Sequence, residues 1–372
     1  MLYRKYRPRD FSEVVGQDHI ITVIRRQVAA GRVAHAYLFS GPRGVGKTTV
    51  ARLIAKAVNC ERRGAQYVES RTLASIPCNT CVSCDTFNAG TALNLIEIDA
   101  ASNRGIDEIR ELREAVRFAP ASGGTKVYII DECHQLTKDA ANALLKTLEE
   151  PPSHVVFVLA TTELDKVPPT IVSRTQYFDF RRPRADVLAG RLTTLAEREG
   201  AKLEPDAAAA IAFAAEGSVR DAESMLGKIL AVEDKTVTIA DAEEVLGIPK
   251  REALAELFGH IGARRLPGAI ELVNRLYRDG YEMEYLMKIL ITFFRDALLV
   301  KTGSAVGAAS LLPDARELSA ELAKYSADGL ANATVELIEA LASSRRSPIP
   351  QLPLELALIA IMNGRSSDQP LR

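Results

Sequence analysis

The chain of 372 residues contains no tryptophan, and aromatic residues make up only 6% of its composition. This scarcity argues against a large binding pocket lined by aromatic side chains. The formal net charge is only −1, so the molecule as a whole has no electrostatic field that attracts nucleic acid. A DNA partner is neither supported nor excluded, but any contact with DNA requires a local positive surface.

Long apolar runs are also missing. None approaches the length of a membrane span, and the basic, aromatic segment from Met1 to Asp10 lacks the apolar core of an export signal. We therefore expect a cytoplasmic protein with no membrane partner. The composition, with 47% hydrophobic and 26% charged residues, is ordinary for a globular protein. Because 372 residues exceed what one hydrophobic core usually supports, two or three domains are expected.

The most informative motif is Gly41-Pro-Arg-Gly-Val-Gly-Lys-Thr48, which fits G-x-x-x-x-G-K-T and lies between an apolar run and a helical pattern. Its glycines let successive backbone N–H groups point at phosphate oxygens, and the following helix presents its positive end to the same charge. Lys47 is expected to reach the β and γ phosphates, and Thr48 to hold Mg²⁺. The residues predicted to bind nucleotide here are Gly41, Arg43, Gly44, Val45, Gly46, Lys47, Thr48 and Thr49.

The first half of the chain alternates short apolar runs with helical patterns, which is typical of an α/β fold with a parallel sheet covered on both faces. The predicted strands are Ala36 to Phe39, Leu95 to Asp99, Val127 to Ile130, Val155 to Leu159 and Thr175 to Phe180. After Phe180 the strand patterns give way to alanine-rich helices, and Pro249 marks a second boundary. We therefore predict a nucleotide-binding domain over 1–180 with a cysteine module at 60–84, a small helical domain over 181–247 and a larger one over 248–372.

The predicted strand from Val127 to Ile130 ends in two acidic residues, Asp131 and Glu132. Because the carboxyl ends of parallel strands meet at one edge of a sheet, both carboxylates are expected beside the phosphate loop. Asp131 is expected to orient Mg²⁺ through its water shell, and Glu132 to polarise the water that attacks the γ-phosphate. Alone, this dipeptide is more often a pair of acids in a surface turn. The phosphate loop favours the catalytic interpretation.

Three cysteines, Cys78, Cys81 and Cys84, have C-x₂-C-x₂-C spacing, and Cys60 lies upstream at the end of the helix that follows the phosphate loop. Four thiolates suit tetrahedral Zn²⁺, and disulfides are rare in chains with no export signal. We interpret the four as a structural zinc site without an open position for catalysis. An iron–sulfur cluster and free thiols are the alternatives. Cys133, the fifth cysteine, is interpreted as a small buried hydrophobic residue.

Several motifs together resemble those of the AAA+ ATPases. They are the phosphate loop, Asp131-Glu132-Cys133-His134, Ala160-Thr-Thr-Glu163, Ser173-Arg174 and Gly217-Ser-Val-Arg-Asp-Ala222. More narrowly, the chain resembles the gamma/tau subunits of the bacterial DNA polymerase III clamp loader, through Tyr3 to Pro8, Phe11, Val15 to Gln17 and His35 to Ser40. The resemblance covers residues 1 to 247 densely. It implies an AAA+ domain, a helical lid at 181–247 and an oligomerisation collar at 248–372, where only length and character are similar.

The resemblance implies further site residues. Thr162 is expected to sense the γ-phosphate, with Thr161 as an alternative, and Arg220 to reach the nucleotide from the lid. Arg174 is expected to be the arginine finger that enters a neighbouring subunit's ATP site, although the family usually has cysteine where this chain has Thr175. The family also has a zinc module at the position of the four cysteines. The implied adenine pocket consists of Tyr6, Arg7, Pro8, Val14 and Val15.

The function implied by the resemblance is that of a clamp-loader ATPase that uses ATP, Mg²⁺ and Zn²⁺. Its expected partners are further copies of this chain, other clamp-loader subunits, the sliding clamp, primer–template DNA and the polymerase holoenzyme, while the chain has no polymerase site of its own. Arg104, at the start of a predicted helix, is the candidate for contact with DNA phosphates, beside the interpretation as a solvated helix start.

Two other functions are kept open. An AAA+ DNA-remodelling motor of the branch-migration or recombination type would need aromatic pore loops and usually a hexamer. A structural subunit that does not hydrolyse ATP is opposed by Lys47, Thr48, Asp131 and Glu132, which are all in place.

Overall fold

The structure is a computed structural model that describes residues 1–62, 76–103, 105–120, 123–232, 235–247, 249–302 and 325–363. The chain forms two compact units. The first contains Met1–Leu195 and Ala215–Gly227, and the second contains Ala196–Ala214 and Lys228–Arg372. These two units are not the domains predicted from the sequence. The predicted domain boundaries at residues 180 and 247 stay predictions.

A five-stranded sheet forms the centre of the first unit. Its strands are β1 (Ala36–Ser40), β2 (Leu95–Asp99), β3 (Lys126–Asp131), β4 (Val155–Thr161) and β5 (Gln176–Asp179). Their order is β2-β3-β4-β1-β5, and every neighbouring pair is parallel. The α/β fold with a parallel sheet is therefore confirmed, and each of the five strands predicted from an apolar run is present.

The central strands are buried on both faces. Every residue of β1 and β4 is buried. Because side chains alternate along a strand, Tyr37 and Phe39 pack into one core with Ile54 of the following helix, while Leu38 packs on the other face with Leu144. This burial explains why these strands are continuous apolar runs in the sequence.

Helices flank the sheet in the first unit. In chain order the helices of this half are α1 (Leu2–Lys5), α2 (Asp18–Ala29), α3 (Lys47–Val58), α4 (Val82–Ala89), α5 (Ile106–Val116), α6 (Lys138–Glu149), α7 (Pro169–Val172), α8 (Ala185–Arg198), α9 (Pro205–Ala214) and α10 (Val219–Ile229). Of these, α9 belongs to the second unit. The amphipathic helix α3 buries Val50, Leu53 and Ile54, which fixes its amino-terminal end at the edge where β1 ends.

The second unit is largely helical. It contains α9, α11 (Ile239–Leu246), α12 (Arg251–Gly262), α13 (Leu266–Arg278), α14 (Met283–Lys301), α15 (Ala327–Ser344) and α16 (Leu352–Asn363). One core, which includes Leu257, Phe294, Leu337 and Leu358, joins the helices from α12 onward. The predicted helical character is confirmed for the described residues. In the part of the chain that the structure describes, no helix is long and apolar enough to cross a bilayer.

One short feature of the second unit is absent from the sequence predictions. Strands β6 (Lys202–Leu203) and β7 (Thr236–Val237) form a parallel pair. Each strand has only two residues, which is too short to leave an alternating pattern in the sequence.

Candidate functional site

The loop between β1 and α3 has the backbone shape that its glycines allow. Gly41 and Gly44 have φ values of 144° and 78°. A Cβ atom on Gly41 would lie 2.3 Å from the carbonyl oxygen of Phe180, and one on Gly44 would lie 2.0 Å from the Ser218 hydroxyl oxygen. Both positions therefore require glycine. The resulting curl places the amino-terminal end of α3, with its unpaired N–H groups, at the carboxyl edge of the sheet.

Lys47 and Thr48, the first residues of α3, contact the loop and β3. The Lys47 side chain is buried, and its Nζ donates to the carbonyl oxygens of Gly41 at 2.6 Å and Pro42 at 2.8 Å. Burial lowers the pKa of Lys47, and the nearby carboxylates of Glu132 and Asp131 oppose this effect. The Thr48 hydroxyl donates to Asp131 Oδ2 at 2.8 Å. The phosphate loop and the acidic pair therefore meet at one edge of the sheet.

Glu132, directly after β3, is held by the end of the neighbouring strand β4. Its backbone has a left-handed φ of 48°. Its Oε2 accepts hydrogen bonds from the Thr162 hydroxyl at 2.9 Å and from the Thr162 N–H at 3.3 Å. Since β3 and β4 are parallel neighbours, their ends bring these two residues together. The predicted base and the predicted γ-phosphate sensor are thus in direct contact.

His134, to which the sequence assigns no role, lies in the same group. Its side chain is 3% exposed. The ring Nδ1 lies 2.9 Å from the Thr161 hydroxyl oxygen and 3.5 Å from Glu132 Oε2, while Nε2 lies 3.3 Å from Glu163 Oε1. The buried ring therefore connects the turn after β3 to the end of β4.

A cavity of about 560 Å³ lies beside the phosphate loop. Of the predicted site residues, those that line it are Arg7, Pro8, Val14, Val15, Arg43, Gly44, Val45, Gly46, Lys47, Thr48, Thr49, Asp131, Glu132 and Arg220. Three others, Tyr6, Gly41 and Thr162, do not line the cavity but bond to residues that do. Burial and then repulsion from Arg52 lower the pKa of Arg7 in its wall, so an anionic ligand would be favourable there.

The amino-terminal segment and α10 meet across the cavity. The Arg220 guanidinium lies 4.9 Å from the centre of the Tyr3 ring, a cation–π distance. The backbone N–H of Arg220 donates to the Gly44 carbonyl at 3.4 Å. The helix containing Arg220 is therefore in contact with the phosphate loop itself.

Sequence reasoning missed several cavity residues. Those that line it in addition are Tyr3, Arg4, Glu13, Asp99, Ala101, Arg191, Val219 and Glu223. Arg191 and Glu223 form an ion pair at 3.1 Å with side chains only 7% and 5% exposed, and Arg191 also donates to the Tyr6 carbonyl at 2.8 Å. Burial raises the pKa of Glu223, and Arg191 opposes that rise. The sequence signal that could have indicated this pair is the position of Arg191, next to Leu192 on the apolar face of α8.

Arg174, the predicted arginine finger, does not join this group. Its Nε donates to Glu149 Oε1 at 2.8 Å, and its NH1 donates to the Thr170 carbonyl at 2.9 Å. The side chain is 35% exposed. Arg104, the predicted DNA contact, lies outside the described residues.

The structure also brings the four predicted zinc ligands together. The sulfur atoms of Cys60, Cys78, Cys81 and Cys84 all lie within 4.8 Å of one another, and those of Cys78 and Cys84 are 3.9 Å apart. Tetrahedral zinc with bonds of 2.3 Å would place its sulfurs ~3.8 Å apart. The N–H of Cys78 donates to the Cys60 sulfur, and that of Cys84 to the Cys81 sulfur. The cluster therefore has the donors and the spacing for a tetrahedral metal.

The thiols of this cluster differ in their acidity. Burial raises the pKa of Cys60 and Cys84. Burial also opposes ionisation of Cys78, but hydrogen bonds from the Thr80 N–H and hydroxyl, together with those from Cys81 and Cys60, outweigh it and lower the pKa to about 6. None of the five cysteines forms a disulfide, and Cys133 is buried outside the cluster, as expected. Cys78 therefore ionises more easily than Cys60 or Cys84.

The sequence matches three protein families in succession. Residues 16–184 match "DNA polymerase III, delta subunit". Residues 188–232 match "DNA polymerase III clamp loader subunit, ATPase lid domain". Residues 237–372 match "DNA polymerase III subunits gamma and tau domain III".

Curated relatives give the same result over longer stretches. The chain is 39% identical to the DNA polymerase III subunit tau of Bacillus subtilis, over 97% of this chain and 62% of that protein. It is 35% identical to the subunit gamma of Buchnera aphidicola, over 81% of each. The chain belongs to the gamma/tau family of DNA polymerase III subunits. It spans 56% of the tau subunit of Escherichia coli, at 36% identity over 94% of its own length, and so corresponds to little more than half of the longer family members.

Solved structures are more distant from this gamma/tau family member. The Thermotoga maritima RuvB Holliday junction branch migration motor superposes with a TM-score of 0.49 at 18% identity, over 70% of this chain and 80% of that one. The Bacillus subtilis clamp loader delta protein superposes with a TM-score of 0.38 at 17% identity, over 92% and 99%.

Proposed function

We propose that this chain is an ATPase subunit of the bacterial replicative clamp loader, which uses ATP binding and hydrolysis to load a sliding clamp onto primed DNA. The observation that carries the proposal is the contact between the Thr48 hydroxyl and Asp131 at the edge of a 560 Å³ cavity. It puts the curled loop and the acidic pair within reach of one triphosphate. The match of residues 188–232 to a clamp-loader ATPase lid supports the same function.

The phosphates are proposed to bind at the start of α3. Lys47 Nζ, which is now bonded to two loop carbonyls, turns to the β and γ phosphate oxygens. Thr48 would hold Mg²⁺ and Asp131 would orient it through its water shell, and the ion would neutralise charge on the same phosphates. Arg220 approaches the γ-phosphate from α10. Arg7, Pro8, Val14 and Val15 surround the adenine, and Tyr6 supports this wall through its carbonyl, which accepts from Arg191.

Glu132 is proposed to activate the water. Both of its contacts to Thr162 use Oε2, so Oε1 is the oxygen that we propose accepts the proton of the attacking water. Thr162 then has two roles, because it orients the base and adjoins the γ-phosphate. Water activation beside bound phosphate is worth about 10²–10⁴-fold in rate.

Arg174 is proposed to complete the ATP site of a neighbouring subunit. Its guanidinium is partly exposed and away from the cavity of its own chain, as a residue acting on a neighbour requires. The proposed assembly contains several copies of this chain and other clamp-loader subunits, and it acts on the clamp and on primer–template DNA within the polymerase holoenzyme. The four cysteines are proposed to bind a structural Zn²⁺.

The test is an ATPase assay of the chain assembled with its partner subunits, clamp and primed DNA. Glu132→Gln is expected to lower turnover at least about 100-fold and to keep ATP binding, while Lys47→Ala is expected to weaken binding itself. Glu197→Gln, which changes an exposed glutamate on α8, is the matched control. Undiminished turnover in Glu132→Gln would overturn the proposal. A closed hexamer of this chain alone, seen by native mass spectrometry, would instead support a DNA-remodelling motor.

A further inference from the structure

Lys56, near the carboxyl end of α3, is a buried lysine that the proposed chemistry does not use. Only 4% of the surface of Lys56 is exposed. The Nζ atom donates three hydrogen bonds, to the Arg9 carbonyl at 3.1 Å, to Asn88 Oδ1 at 2.5 Å and to Asn79 Oδ1. An ammonium group has three protons, so each of them has an acceptor. Such complete pairing is what allows a charge to stay buried.

Two of the three acceptors lie in or just after the segment from Cys78 to Cys84. Asn79 lies between Cys78 and Cys81 and has a left-handed φ of 56°, and Asn88 lies in α4, the helix that contains Cys84. The position of the Lys56 ammonium therefore depends on how the cysteine segment is held.

The third acceptor, the Arg9 carbonyl, lies next to residues that line the nucleotide cavity. Arg9 follows Arg7 and Pro8, which line that cavity, and its N–H donates to Glu13, another lining residue. Lys56 thus joins three parts of the first unit, which are the cysteine segment, α3 and the amino-terminal segment.

The positive charge of Lys56 would also compensate the negative charge of a metal-loaded cysteine cluster. Four thiolates around a divalent ion carry a net charge of about −2, and a buried cation beside such a group compensates part of it. Metal in the cluster would fix Asn79 and Asn88. These in turn would hold the ammonium against the Arg9 carbonyl and so fix the wall formed by Arg7 and Pro8.

We propose that Lys56 couples the two sites, so that metal in the cysteine cluster and nucleotide in the cavity strengthen each other's binding. The proposal rests on the proposed nucleotide binding and adds the link between the sites. Coupling is reciprocal, since each ligand must change the affinity of the other by the same factor. Coupling through a few hydrogen bonds is expected to amount to about fivefold to tenfold, at the lower end of the usual range.

The test measures zinc release from the zinc-loaded full chain to an excess of a colorimetric chelator. A saturating, non-hydrolysable ATP analogue with Mg²⁺ is expected to slow release about fivefold to tenfold in the wild type. Lys56→Met keeps the length and apolar stem but has no donor, and it is expected to abolish the slowing while zinc content stays at one ion per chain. Lys138→Met, which changes an exposed lysine on α6, is the control and is expected to behave as wild type.

A second variant covers the case in which Lys56→Met does not fold. Asn88→Ala keeps the lysine and removes one acceptor, so the slowing is expected to fall to about twofold. If the wild type binds the analogue with unchanged zinc release, the coupling is overturned and the ATPase proposal stands. If both variants keep the full slowing, the sites are coupled by another route and the proposed role of Lys56 is overturned. If the wild type does not bind the analogue at all, the ATPase proposal fails and the coupling fails with it.

Discussion

The nucleotide cavity lies at the amino-terminal end of α3, and the cysteine cluster lies just past the carboxyl-terminal end of the same helix. The cavity is lined by side chains from the amino-terminal segment, the phosphate loop, the ends of β2 and β3, and helices α8 and α10. The cluster takes three of its four sulfurs from seven consecutive residues, Cys78 to Cys84. One site therefore depends on strand order and helix packing, and the other mainly on local spacing.

The two sites also differ in how their polar groups are paired. At the cavity, the Lys47 ammonium, the Thr48 hydroxyl and the Glu132 carboxylate are bonded to other protein groups, so a ligand must exchange for these partners. At the cluster, the sulfurs accept weak N–H bonds and lie at the spacing of metal ligands. Loss of a cluster ligand is therefore expected to affect folding, and loss of Lys47, Thr48 or Glu132 mainly binding or rate.

The largest effect is expected from breaking the cluster with Cys84→Ser. Cys84 is fully buried, and a serine hydroxyl is a poor substitute for a thiolate. Zinc contributes ~10–16 kcal/mol to folding of zinc-finger peptides, so losing it is expected to lower the unfolding free energy here by more than ~5 kcal/mol. Zinc content by mass spectrometry and urea unfolding measure the two effects.

Cys133→Ala is the matched control for that variant, because Cys133 is buried but outside the cluster. It is expected to keep one zinc ion per chain. Full zinc content in Cys84→Ser would show that the cluster does not bind metal through four sulfurs.

The second-largest loss of stability is expected from Arg191→Met, which disrupts the wall of the cavity. The change removes the guanidinium that pairs with the buried Glu223 carboxylate and donates to the Tyr6 carbonyl. Removing one member of a buried ion pair costs ~3–5 kcal/mol. The loss of unfolding free energy in Arg191→Met is therefore expected to be nearly as large as that in Cys84→Ser. Urea unfolding measures the change.

Two further variants sharpen the result for Arg191. The double variant Arg191→Met with Glu223→Leu is expected to recover most of the lost stability, because an apolar pair needs no charge compensation. Arg184→Met breaks an exposed pair with Asp186 and is expected to cost less than ~1 kcal/mol. Equal losses in Arg184→Met and Arg191→Met would contradict the importance of burial.

The features that could be predicted from the sequence are those that depend on neighbouring residues. The β1 and β4 strands are continuous apolar runs because both faces are buried, and the phosphate loop needs glycine at 41 and 44 because of backbone geometry. The cysteine cluster follows from spacing. Each of these features depends on residues that are close together in the sequence, so a short segment is enough to predict it.

Pairings between distant segments could not be predicted in this way. Lys56 bonds to residues 23 and 32 positions away, and Arg191 pairs with a residue 32 positions away. Each looks like an ordinary charged residue until the fold brings its partner to it. The contact of Glu132 with Thr162 is an intermediate case, because it follows once β3 and β4 are known to be neighbours.

The smallest effect is expected from His134→Ala, which tests whether the cavity can lose rate without losing stability or affinity. The ring fixes the Thr161 hydroxyl at 2.9 Å, next to Thr162, which in turn holds Glu132. It does not line the cavity. Turnover is therefore expected to fall about tenfold, equivalent to ~1.4 kcal/mol of activation free energy, with nucleotide affinity unchanged.

Two variants separate this positioning role of His134 from simple packing. His134→Asn places an amide where Nδ1 contacts Thr161 and is expected to recover most of the turnover, whereas His134→Gln extends toward Glu163 and is expected to recover little. His35→Ala, at an exposed histidine before β1, is the control. If His134→Ala weakened nucleotide binding and lowered turnover to the same extent, the ring would only support the local structure. A fall in turnover alone would show that the end of β4 orients Glu132, because only the rate depends on the direction of that carboxylate.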